Sequence, residues 1–162
     1  MRNARRLMVL GIAAVTVLIA TPLRAADITE VPQDVSSAAV AAFRAGLALH
    51  REKHYAAAIK EYERAISLGG RFPEAFNNLA YCYRKTGQID RALELYKTAI
   101  ALRPTFPQAH DYIARAYLSK GDRTMAMRHY EIVKRLDGRL AHCLLEAIRR
   151  GDPDYNDMPW GS

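Results

Sequence analysis

The sequence contains no glycine-rich phosphate loop, no nucleophile elbow and no His-Glu-x-x-His pattern. Those absences remove the common routes to nucleotide, acyl-transfer and zinc-protease chemistry. Acidic residues are missing from residues 1–25, where Arg2, Arg5, Arg6 and Arg24 all lie. The formal charge of +7 therefore comes largely from this end, and without it 20 basic residues face 17 acidic ones, a net +3. A residual charge of that size is no nucleic-acid footprint. No apolar run reaches the roughly 20 residues of a membrane-spanning helix. Half the chain is apolar, so 162 residues suffice for one packed domain.

What the N-terminus does contain is ordered in three parts. Arginines in residues 1–6 precede an apolar stretch, Leu7 to Ala20, broken only by Thr16, and small residues close the segment at Ala25 and Ala26. That layout predicts a signal peptide over residues 1–25, with cleavage after Ala25 and a leader over 26–38. The protein is then periplasmic or secreted. No cysteine follows the apolar stretch, which excludes a lipoprotein anchor. The alternative is an inner-membrane-anchored structural subunit in which the segment stays uncleaved, the one case in which the membrane is a partner.

The rest of the chain repeats. Shifted by 34 residues, Ala58, Ala92 and Ala126 coincide, as do Tyr62, Tyr96 and Tyr130. Leu68, Leu102 and Leu136 share a column, and so do the small residues Gly46, Ala80 and Ala114. Each unit reads as two helices. In the middle one Phe76, Leu79, Ala80 and Tyr83 fall at i, i+3, i+4 and i+7, Gly87 supplies a stop, and Ala92, Leu93, Tyr96, Ala99 and Ile100 form a second apolar stripe. Pro73 and Pro107 suit the first turn of a helix. A lone helix pair cannot bury its apolar face, so the units must stack.

The middle unit resembles a tetratricopeptide repeat: Phe76, Leu79, Ala80, Tyr83, Gly87, Ala92, Tyr96, Ala99 and Pro104 occupy that family's signature places. The third unit matches nearly as well, with His110 for an aromatic and Gly138 for the terminal proline. In the first, Ala42, Lys53 and Gly70 replace an aromatic, a glycine and a proline. The resemblance implies an all-α protein, a right-handed α-solenoid of three helix-turn-helix repeats plus a C-terminal capping helix. The repeats span 39–72, 73–106 and 107–140, the cap spans 141–150, and residues 151–162 form a flexible tail carrying Trp160.

The resemblance also implies an adaptor or scaffold that binds another protein or peptide in a concave groove lined by the first helix of each unit, with assembly of an envelope complex as one such role. The first unit would offer Phe43, Leu47, His50 and Arg51. The second would offer Asn77, Asn78, Tyr81, Arg84 and Lys85, and the third Asp111, Tyr112, Arg115 and Leu118. Chaperone-binding members grip a terminal carboxylate with a basic and amide clamp. Here Asn78 fits one clamp place, while Phe43, Leu47, Gln108 and Tyr112 stand where Lys, Asn, Lys and Arg would be expected, so that clamp is absent.

No catalytic residue, cofactor, metal or nucleic acid is expected. His50 and His54 are spaced i, i+4 but lack a third ligand, and read as surface residues beside a turn. His110-Asp111 is catalytic only on paper, because His110 falls in the column of Phe76. Cys82 aligns with Ala48 and Ala116, and Cys143 with Ala41, Ala75 and Ala109, about two repeats apart. Inert buried thiols follow, not a disulfide.

Overall fold

A computed structural model describes residues 35–155. The segment read as a signal peptide, most of the leader, and the tail from residue 156 with Trp160 lie outside the described residues. Among the described residues there are seven helices and no strand. α1 (Ser37–Arg51) and α2 (Tyr55–Ser67) form the first unit, α3 (Pro73–Lys85) and α4 (Ile89–Leu102) the second, and α5 (Pro107–Ser119) and α6 (Arg123–Leu136) the third. α7 (Gly138–Arg150) closes the stack against α6 and α5.

Local chemistry sets the helix ends. The Ser36 hydroxyl accepts the Ala39 N–H and donates to the Leu68 carbonyl, tying the start of α1 to the end of α2. Pro73 and Pro107 sit in the first turn of α3 and α5, where a missing N–H costs nothing. Asp137 ends α6, and its carboxylate accepts the N–H groups of Arg139 and Leu140. This cap explains why α7 starts at Gly138, ahead of the boundary read from the sequence.

The turn inside each unit is the same structure three times. The N–H groups of His54, Gln88 and Asp122 donate to the carbonyls of Leu49, Tyr83 and Tyr117, at 2.8, 2.8 and 2.9 Å. Each turn needs one left-handed residue. Gly87 (φ 81°) and Gly121 (φ 77°) supply it, while the first unit forces Lys53 into the same region at φ 61°.

The small-residue columns let paired helices approach. Ala58, Ala80, Ala92, Ala114 and Ala126 are wholly buried. Gly46 is the tightest place: a Cβ there would lie 2.7 Å from the Tyr62 ring. Tyr62 and Tyr96 are fully buried and Tyr130 nearly so, which puts the aromatic column in the core between the helices. Leu68, Leu102 and Leu136 remain exposed at the ends of the second helices.

Both cysteines are unbridged. Cys82 is buried, and burial pushes its thiol up to about 12. Cys143 is only partly buried, unlike Ala75 and Ala109 in its column. The difference is positional: α3 and α5 have helices packed on both sides, whereas α7, the last of the described helices, meets only α5 and α6.

Candidate binding groove

α1, α3 and α5 carry the residues expected to meet a partner, and the structure sorts them into three groups. Phe43 packs edge-on against Phe72, with ring centroids 4.8 Å apart, and Leu47 joins it in the main core. Leu118 lies in the core formed with α6 and α7. These three side chains are spent on packing. Arg51 is exposed at the end of α1, and Lys85 is half-buried at the end of α3.

The remaining residues form a continuous row across the three units. The His50 ring stacks on Tyr81 with centroids 4.7 Å apart, and Tyr81 meets Tyr112 edge-on at 5.0 Å. The Arg84 guanidinium and the Lys85 ammonium lie over the Tyr81 ring, at 5.3 and 5.7 Å. His50 is thus buried, not a surface residue: its Nδ1 is 3.3 Å from the Tyr62 hydroxyl. His54 is exposed beside Glu52, so the two histidines face different surroundings.

Polar groups in this row are buried to an unusual degree. Every residue from Ala75 to Arg84 is buried, where an amphipathic helix would leave one face to solvent. Asn77 donates to the Asn78 side-chain carbonyl at 3.3 Å, while its own Oδ1 is buried without a hydrogen-bond partner. Such an acceptor is costly to leave unmet. On α5, Arg115 Nε donates to both carboxylate oxygens of Asp111, and both side chains are almost wholly buried. His110 turns elsewhere: Nε2 bonds the Pro104 carbonyl at 2.9 Å, and Nδ1 meets Nδ1 of His129 on α6 at 3.0 Å. Adjacent in sequence, His110 and Asp111 do not act on one another's partners.

Part of the cover over this row comes from the chain itself. The tail, expected to be flexible from Gly151, is held over its first residues. Gly151 takes a left-handed conformation (φ 69°) that ends α7, and the Asp152 N–H donates back to Ala147. The Asp152 carboxylate accepts the Asp154 N–H at 2.9 Å, fixing a compact turn. That turn lays residues 153–155 on α3 and α5. Arg84 and Lys85 both donate to one oxygen of Asp154, each at 2.9 Å. Arg115 Nη1 donates to the carbonyls of Pro153 and Tyr155, at 3.1 and 2.9 Å. The Arg150 guanidinium covers the Tyr155 ring at 4.2 Å. Burial opposes ionisation of Asp154, but the hydrogen bonds and charges of Lys85 and Arg84 outweigh it and hold the carboxyl at about 2.

Sequence reading missed Pro153, Asp154 and Tyr155 as residues held against α3 and α5. A signal was present: the acidic Gly-Asp-Pro-Asp-Tyr stretch follows a helix stop in a chain whose α3 ends in the basic pair Arg84 and Lys85.

Residues 39–68 and 73–106 each match the tetratricopeptide repeat family. No curated protein matches the sequence. Among solved structures, the chain is similar to the Sgt2 TPR domain from Aspergillus fumigatus, at 23% identity and TM-score 0.66, covering 82% of this chain and 93% of that one. It is similar to the first TPR of Spaghetti (RPAP3) bound to an HSP90 peptide, at 21% identity and TM-score 0.66, covering 74% and 97%. It is also similar to the second TPR domain of human RPAP3 in complex with an HSP70 peptide, at 25% identity and TM-score 0.63, covering 68% and 94%. The chain therefore carries tetratricopeptide repeats and has the all-α helical-repeat fold of these domains.

Proposed function

We propose that the protein is an exported adaptor that binds a segment of another protein along the inner face of α1, α3 and α5. The observation that carries this reading is how that face treats a short stretch of polypeptide. Arg115 bonds two backbone carbonyls, and Arg84 and Lys85 bond a carboxylate. Donors placed for backbone carbonyls and an acidic side chain suit peptide recognition. Two of the similar domains hold chaperone peptides ending in Glu-Glu-Val-Asp, which supports a peptide partner in general. The clamp residues missing here point away from that particular terminus.

Export and a role in assembling an envelope complex extend the same reading, on the strength of the tripartite N-terminus. N-terminal sequencing of the protein from its own cells tests export: a start near Ala26 is expected, and an intact residue 1 would favour the anchored subunit. Groove binding is tested by placing a photo-crosslinking residue at position 51, 85 or 97 in turn. Positions 51 and 85, on the first helices, should trap the same protein. Position 97, exposed on α4, should not. Equal trapping at all three would move the contact away from the groove.

A further inference from the structure

We infer that the segment Asp152–Tyr155 is a built-in occupant of the groove, and that an acidic partner segment gains the inner face only by displacing it. The inference rests on the groove reading above and adds to it a partner chemistry and a gate.

Three features of the contact argue for a ligand-like fit instead of incidental packing. Two cations from consecutive positions on α3 converge on a single carboxylate oxygen, which is a site for an acidic side chain. One guanidinium on α5 takes two carbonyls two residues apart, so it reads backbone, not sequence. That guanidinium is itself oriented by a buried carboxylate, so it is preorganised before anything docks. The tail meets α3 and α5 together, across two units.

The tether makes the occupant effective. Asp154 lies four residues beyond the end of α7, and the turn at 151–154 is already hydrogen-bonded. A linker this short confers an effective concentration on the order of millimolar. A partner that uses the same cations then binds with an affinity reduced by the fraction of time the groove is open. An acidic segment, and no basic one, can replace Asp154 between Arg84 and Lys85.

The test uses the full chain and a labelled peptide with the sequence of residues 151–162. Asp154→Lys in the chain should expel the tail by repulsion from Arg84 and Lys85. The peptide is expected to bind this variant about tenfold more tightly than the unmodified chain, by fluorescence anisotropy at low salt. A peptide carrying the same Asp154→Lys change should not bind. Because the Asp154 side chain is 58% exposed, folding should survive, and Asp154→Ala provides a milder opening with the same direction of effect. Equal binding to the opened and unmodified chains, or binding to neither, overturns the inference. So does concentration-dependent dimerisation of the unmodified chain, which would mean that tails dock between copies. The peptide assay needs no natural partner, so its failure would leave the crosslinking result at positions 51 and 85 standing, and the reverse also holds.

Discussion

Arg115 and Asp111 lie one turn apart on α5 and form a pair in which Nε donates to both carboxylate oxygens, at 3.1 and 3.0 Å, with 1% and 2% of their side chains exposed. A buried pair of this kind contributes little net stability, but breaking it strands a charge. Asp111→Ala should therefore cost about 3–5 kcal/mol. The double change Asp111→Leu with Arg115→Met should cost far less, because both charges leave together. Urea unfolding followed by circular dichroism separates the two, and similar losses would contradict the argument.

The first turn offers the opposite experiment. Lys53 takes a left-handed backbone where the later units have Gly87 and Gly121. Relieving that conformation outweighs the extra chain entropy of glycine, so Lys53→Gly should raise stability by about 0.5–1 kcal/mol. Gly87→Ala should lower it by a similar amount. A drop in the melting temperature of Lys53→Gly would show that the lysine side chain has a role that outweighs the strain.

The contact between His110 and His129 predicts acid sensitivity in the third unit. The Pro104 carbonyl can only accept, so neutral His110 carries its proton on Nε2, and His129 Nδ1–H donates to the bare Nδ1 of His110. Burial lowers His110. Burial, then His110 and Arg128, lower His129 from 6.5 to about 4. The folded state thus binds fewer protons than the unfolded chain between these values. Stability should be full above about pH 6.5, fall as the pH drops toward 4, and level off below. Asp154 stays ionised through this window because its carboxyl is held at about 2. Thermal melts from pH 7.5 to 4 should show the decline, and His129→Asn should flatten it.

The thiols should differ in reactivity. Burial pushes Cys82 up to about 12, while Cys143 is partly exposed on the last helix. Iodoacetamide at pH 8 should modify Cys143 in the native protein and reach Cys82 only on unfolding. Mass spectrometry of time points decides the order; equal rates would place Cys82 nearer the surface than its burial indicates.

The repeat was legible because its signals are local and periodic. Tyr62, Tyr96 and Tyr130 recur at 34 residues and report a stacked core directly, and Pro73 and Pro107 mark helix starts without any knowledge of the fold. The inner face was legible as a set of helix positions, but not in its burial. Whether Phe43 faces a partner or Phe72 depends on how two units lean together, which periodicity does not encode. The contact between Asp154 and Arg84 joins residues 70 apart, outside any repeat register, so no column announces it. His50 was misjudged for a related reason: its stacking partner Tyr81 belongs to the next unit.

A solenoid is a one-dimensional object, in which each unit senses its immediate neighbours and strain fades along the row. Helix contacts among the described residues follow that rule, running between adjacent helices or adjacent units. The turn after Gly151 departs from it. By carrying Asp154 from the end of α7 back to α3, it acts as a latch across the third unit and turns the end of an open spring into a closed ring. Fraying of α7 and loosening of α3 are then coupled through that contact. A molecule that lifts the latch would be felt along the curvature of the stack as well as at the site it occupies.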